Sequence, residues 1–573
     1  MTWIDWTIVI IYLGFAFGIA FVVREKAGAG RESYFLASRS MPWWLAGISI
    51  AATTFAADTP LAICGIVAKN GVSGNWIWLT WMGVHALVVV QFAKAWRRSE
   101  VATDAEFIPL RYPGRSGENL RLFRAFIYGG VYNVIILGWV MRAMGKIADP
   151  YFHWNKWTPW LTDWLDKFWP VHSAIPTPSE GLTIILFVGI VAFYSTMGGI
   201  RGVILTDLVQ FTLAMVGSFW LASVVMEKVG GPSGLVTSLR HIYGPHNGLL
   251  DWFASVGSKS PNPLGLGFFG VGLYLITQSF ANVPADGGGY LMQRLATVRT
   301  EKAAQKAAGV FYVLQYLIRI WPWLVVGLGA LVLIPIGHEA QAFGGQVANV
   351  ANDRESAYPA LMKELLPTGV LGMMVASLIA AFMSTLDTHL NWGASYVIHD
   401  ILRPRCKAMS DKTEVLFSQL ATIGFAIAAL IVCFQINTIE QAWKWVAAIG
   451  ASLGVPTILR WFWWRISSWS EIFAGLAGLS TSLVLGLTTN MGYENRLVWT
   501  MLAGLTGTLL GLHRGKVLDA TTESFHEKIK PIGWWIKSKN SPGAVVRMLL
   551  LTAAVIAGTV LLLRVLAYFI LGG

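Results

Sequence analysis

The stretch GVLGMMVASLIAAFMSTLDTHLNWGASYVI, residues 369–398, is long and apolar enough to cross a bilayer, yet its middle carries Ser384, Thr385, Asp387, Thr388, His389 and Asn391. A helix of about 20 apolar residues spans about 30 Å of hydrocarbon. Polar groups inside such a span are costly and mark function unless packing explains them. On a helix, Ala381, Ser384, Thr385, Thr388 and Asn391 share one face, with Asp387 at its edge and His389 off it. Hydroxyl and carbonyl oxygens replace the water shell of a hard cation. Small hydroxyl residues also pack membrane helices against one another, so this stripe alone leaves both readings open.

Similar apolar runs recur along all 573 residues, of which 55% are hydrophobic and 13% charged. An ordinary soluble domain carries about 25% charged residues. The chain reads as an all-α polytopic membrane protein with about fourteen transmembrane helices. The net charge of +12 comes from Lys and Arg scattered between apolar runs, which argues against a nucleic-acid partner. Their excess in alternate loops predicts an N-terminus outside and a multi-pass protein of the inner or plasma membrane. Cys64, Cys406 and Cys433 are too far apart for a disulfide framework or a metal motif. The loop DPYFHWNKWTPWLTDWLDKFWPVHS, residues 149–173, reads as an aromatic belt or as a lid.

WWLAGISIAATTFAADTPLAICGIV, residues 43–67, is interrupted in its middle. Pro60 lacks an N–H and clashes with the carbonyl of Ala56, so a break or kink is expected beside Asp58. Broken membrane helices expose carbonyls at mid-depth, where secondary transporters build their sites. In YSTMGGIRGVILTDLVQ, residues 194–210, a turn at Gly198-Gly199 leads into a span bearing Asp207. Asp207 reads as a solvated helix-start acid or as an ion-pathway carboxylate. His85 and His389 are isolated and read as packing or hydrogen-bonding residues. Arg142 and Lys146 read as snorkelling, with attraction of an anionic solute by Arg142 as the alternative.

AAFMSTLDTHLNWGASYVIHDIL, YSTMGGIRGVILTDLVQ, TDAEF and YLMQRLATVRTEKAAQKA together resemble the sodium:solute symporter family, over roughly residues 1–465. The resemblance implies a LeuT-type fold of two inverted five-helix repeats, roughly 40–230 and 260–465. An extra helix precedes them at roughly 1–30, and further helices follow at roughly 466–573. It implies sodium as the coupling ion, bound by backbone oxygens at Ala52, Phe55 and Ala381 and by the hydroxyls of Ser384 and Thr385. Asp207 matches a position that in some members serves a second sodium or the ion's exit. Where sodium–galactose relatives present a Glu and a Ser, this chain has Trp78 and Trp81, and the polar residue before the family's QR turn is Gly288.

The candidate solute contacts are Asp58 and Thr59 on the interrupted helix, Trp78, Trp81 and Asn282, and Trp443, Lys444 and Trp445 further on. Lys444 lies deep enough to need a partner, and Asp58 is the expected one. The function expected is sodium-coupled symport of a small solute, a sugar, amino acid or carboxylate, by alternating access. The rivals are a proton-coupled carrier or exchanger using Asp58 and Asp207, and a membrane-embedded enzyme. The enzyme would need a clustered nucleophile, metal or cofactor set that the sequence does not offer.

Overall fold

The computed structural model describes residues 1–27, 36–101, 104–170, 173–195, 200–252, 267–281, 284–403, 405–406, 410–514, 520–530 and 542–571. Asn282 and the Gly198-Gly199 turn lie outside the described residues. All regular structure among them is helical. Eight helices are long and apolar enough to cross a membrane, and a pair bent by 45°, Val72–Leu79 with Met82–Ser99, makes a ninth. Four shorter apolar helices, Trp3–Phe15, Trp43–Thr53, Pro178–Ala192 and Phe269–Phe280, lie on other expected spans.

The first interrupted span forms two half-helices, Trp43–Thr53 and Thr59–Asn70, with non-helical backbone between them. Pro60 sits in the first turn of the second half, where its missing N–H costs nothing. A second interruption follows the helix Gly267–Phe280, and Gly287 and Gly289 turn there through positive φ before Tyr290–Ala296.

Carboxylates remote in sequence cap two central helices. Val370–Ser395 starts after Gly369, which has no capping side chain. Asp5 fills that role, accepting from Gly369 N at 2.7 Å and Gly372 N at 3.0 Å. Glu355 adds to the Thr438 cap of Ile439–Leu459, accepting from Ile439 N at 2.8 Å. Close helix contact needs small residues. A Cβ on Gly47 would lie 2.6 Å from Ala307 O, so the first half-helix rests directly on the helix Glu301–Val313.

The Trp-rich segment forms two short helices, Trp154–Trp157 and Pro159–Asp166. Trp157, Trp160, Trp164 and Phe168 are exposed. Exposed indoles beside membrane spans fit the aromatic-belt reading.

Candidate functional site

Asp207, on the helix Ile200–Lys228, is 0% exposed. The solvated helix-start reading of this acid therefore fails. Its carboxylate joins two other helices. Ser49 Oγ of the first half-helix donates to Oδ2 at 2.6 Å, and Ser384 Oγ donates to Oδ1 at 2.9 Å. Thr385 Oγ1 donates to Ala381 O at 2.9 Å. Phe55 N donates to the Ala51 and Ala52 carbonyls, both at 3.0 Å, at the end of the same half-helix. Ala52, Phe55, Ala381 and Thr385 are all buried. A hydroxyl that spends its proton on a neighbour still offers lone pairs, so Ser384 and Thr385 keep acceptor capacity for a cation. Ser49, Ser384 and Asp207 thus bring two hydroxyls and one carboxylate together, oxygens of the kind a hard cation takes.

Beside this group lies a cavity of about 110 Å³ whose lining includes Thr53, Thr54, Asp58, Thr59 and Thr385. Trp78, Trp81, Trp139, Trp443, Tyr132 and Tyr290 supply its aromatic walls. Thr385, the residue after Ser384, thus lines the cavity. Trp78 Nε1 donates to Asn75 Oδ1 at 3.0 Å, and Trp443 Nε1 donates to Asp58 Oδ2 at 3.3 Å.

The expected Asp58–Lys444 pair does not form. Lys444 Nζ meets Glu440 Oε1 at 2.6 Å and lies 5.2 Å from the Tyr493 ring centroid. Glu440 also holds Lys69 Nζ at 2.9 Å. A partner one helical turn away on the same helix wins over one across the cavity. Trp445 is partly buried against the core and, like Lys444, stays outside the cavity lining.

Arg142 and Lys146 do not snorkel either. Both are buried, Arg142 against Glu180 and Lys146 against Glu355 at 2.5 Å and Asp353 at 2.6 Å. Arg142 borders a larger cavity of about 900 Å³ next to the Trp-rich segment, and its charge is already matched by Glu180. The histidines behave as expected. His85 Nδ1 meets Tyr316 OH at 2.6 Å and His389 Nδ1 meets Asn133 Oδ1 at 2.7 Å. Asn391 Nδ2 donates to Asp387 Oδ1 at 2.7 Å, one turn back on its own helix.

One residue that sequence reasoning missed stands at the centre. Arg319 follows a π-helical turn, Leu314–Ile318, and is 1% exposed. It donates to Ala51 O at 2.9 Å, Thr54 O at 3.1 Å and Thr54 Oγ1 at 3.1 Å. Its guanidinium therefore closes the carbonyl end of the first half-helix, where the helix dipole favours a cation. Thr54 Oγ1 also reaches Gln315 Oε1 at 3.3 Å. The signal was available: Arg319 is a lone charge inside an apolar span.

The family model for the sodium:solute symporter family matches residues 34–132 and 179–478. The chain belongs to the sodium:solute symporter family. It is 24% identical to the sodium/glucose cotransporter of Vibrio parahaemolyticus, over 88% of this chain and 89% of that protein. It is 22% identical to the high-affinity proline transporter PutP of Bacillus subtilis (strain 168), over 88% of this chain and 97% of that one. Its fold matches that of a Na+-coupled sialic acid symporter solved in a substrate-bound outward-open state. That match has a TM-score of 0.68 and 16% identity, and covers 90% of this chain and 99% of the other.

Proposed function

We propose that the chain carries a small organic solute across the membrane together with sodium, with the ion held where the first half-helix meets Val370–Ser395. The observation that carries this reading is the convergence on Asp207 of Ser49 and Ser384, with Thr385 reaching into the cavity. In this reading Ala52, Phe55 and Ala381 give backbone oxygens, and Ser384 and Thr385 give hydroxyl oxygens. Asp207 takes a second sodium or guides the ion out. The solute occupies the cavity lined by Asp58, Thr59, Trp78, Trp81 and Trp443. Arg319 keeps the first half-helix broken at the right place.

Coupling follows from this sharing of parts. Sodium at Thr385 and the half-helix end orders one wall of the solute cavity, so each ligand strengthens binding of the other. Alternating access then moves the pair from one side to the other. Two interrupted helices, one in each proposed five-helix repeat, support an inverted-repeat architecture with the site between them. We place the protein in the inner or plasma membrane with its N-terminus outside.

The test is uptake by proteoliposomes holding the purified chain, screened over sugars, amino acids and carboxylates. Accumulation driven by an inward sodium gradient supports the reading. Accumulation driven equally by a proton gradient without sodium supports a proton-coupled carrier instead.

A further inference from the structure

Asp58 is 3% exposed, and no ion pair to its carboxylate forms among the described residues. Its side-chain donors are Trp443 Nε1 at 3.3 Å and Thr59 Oγ1 at 3.5 Å, both at the long end of hydrogen bonding, and its own backbone N–H also donates. Neither the expected partner nor the nearby arginine is committed to it. Lys444 pairs with Glu440, and Arg319 donates to the carbonyl end of the first half-helix. A carboxylate taken out of water without a cation is costly, and such a residue in a membrane interior points to a ligand. Asp58 lines the cavity, so a counter-charge reaches it from there.

The neighbouring walls say what kind of cation fits. The Trp81 and Trp443 ring centroids are 6.3 Å apart with planes inclined at 52°, and both rings line the cavity. Indole faces attract organic ammonium groups, which shed water more easily than a small metal ion does. Sodium takes oxygen ligands on every side, whereas here the oxygens of Asp58 and Thr59 face indole walls. An uncharged sugar would hydrogen-bond to Asp58 and stack on the indoles, but would leave the buried carboxylate without a counter-charge. From these positions we infer that the transported solute carries a cationic nitrogen, seated between the Asp58 carboxylate and the indoles of Trp81 and Trp443. The inference rests on the cavity being the solute site. Among the described residues, Trp81 Nε1 and Arg319 Nε are buried donors without an acceptor, so an oxygen-bearing second end of the solute would also find partners.

The experiment is thermal melting of the purified full chain in sodium chloride and in potassium chloride. The probes are a panel of small amines and quaternary ammonium compounds that includes choline and L-proline, with glucose and acetate beside them. Choline brings the cationic nitrogen alone, proline adds a carboxylate, acetate brings only the anion, and glucose neither charge. The expected result is stabilisation by at least one nitrogen-bearing probe in sodium and none by glucose or acetate. In Asp58→Asn the apparent affinity for that probe should fall roughly tenfold or more, while the shift caused by sodium alone persists. Trp81→Leu, which removes a ring and no charge, should weaken the same probe and serves where Asp58→Asn does not fold. The inference is overturned if glucose or acetate stabilises, if no nitrogen-bearing probe does, or if the variants respond as the wild type does. Each of those outcomes leaves sodium stabilisation of the wild type in place. Loss of the sodium shift in the wild type would instead contradict the symport reading beneath it.

Discussion

Ser384 Oγ donates to Asp207 Oδ1 at 2.9 Å, and this bond ties the helix Val370–Ser395 to the helix Ile200–Lys228. Ser49 completes the tie from the first half-helix at 2.6 Å. Three helices thus meet at one buried carboxylate, beside the break in the first span. Charge at Asp207 and the position of the Ser384 hydroxyl are therefore coupled.

Asp207→Asn keeps an acceptor but removes the charge. Its effect is read from a sodium titration of thermal stability. The half-maximal sodium concentration should rise roughly tenfold or more, from loss of a charged partner worth about 1.5–3 kcal/mol. A Hill slope that falls to one assigns a second sodium to Asp207. An unchanged slope with slowed sodium release assigns the exit path. An unchanged half-maximal concentration removes Asp207 from ion handling.

Away from the cavity, Asp286 and Arg460 are both fully buried and meet at 2.7 Å. Trp461 Nε1 donates to the same Asp286 oxygen at 2.7 Å, and Arg460 continues to Glu471 at 3.3 Å. Asp286→Ala leaves a buried guanidinium half-matched, a loss of about 3–5 kcal/mol. Thermal melting should show a large drop for Asp286→Ala and a smaller one for Asp286→Asn. Wild-type melting of both would mean that the cluster does not support the fold.

His526 gives a pH dependence outside the membrane spans. It lies in the helix Ala520–Ile529 with Nδ1 2.7 Å from Thr522 O. Burial, and then the nearby Arg111, push its pKa down to about 4. The released helix would take up a proton near the ordinary value of about 6.5. Docking of this helix is therefore fully stable above that value and weakens as pH falls toward about 4. The protection factors of residues 520–529, taken against the intrinsic exchange rate at each pH, should fall on acidification in the wild type and much less in His526→Gln. Equal pH responses would place the switch elsewhere.

The polar stripe at Ala381, Ser384 and Thr385 and the break beside Asp58 were legible because each violates the pattern of its own helix. A hydroxyl pair in an apolar span and a proline after a run of small residues are local signals. Partnerships between remote segments carry no such signal. Arg142 and Lys146 looked like snorkelling residues because Glu180, Asp353 and Glu355 are far from them in sequence. The Lys444 error had a different origin. Glu440 lay one turn away, and the ordinary i,i+4 pair deserved precedence over a cross-cavity one. Arg319 was legible and missed. Its service to the Ala51 and Thr54 carbonyls depends on a π-turn that periodicity does not announce.

In the proposed function Ser384 and Thr385 seat the coupling ion. That assignment is tested most directly by sodium titration of thermal stability for wild type, Ser384→Ala and Thr385→Ala, with potassium as the control. Each alanine removes one oxygen from a dry site, at a cost of about 1.5–3 kcal/mol. The half-maximal sodium concentration should rise roughly tenfold to a hundredfold in each variant, beyond whatever melting each loses in potassium. Wild-type sodium dependence in both variants would contradict the assignment and leave the hydroxyls as packing between helices.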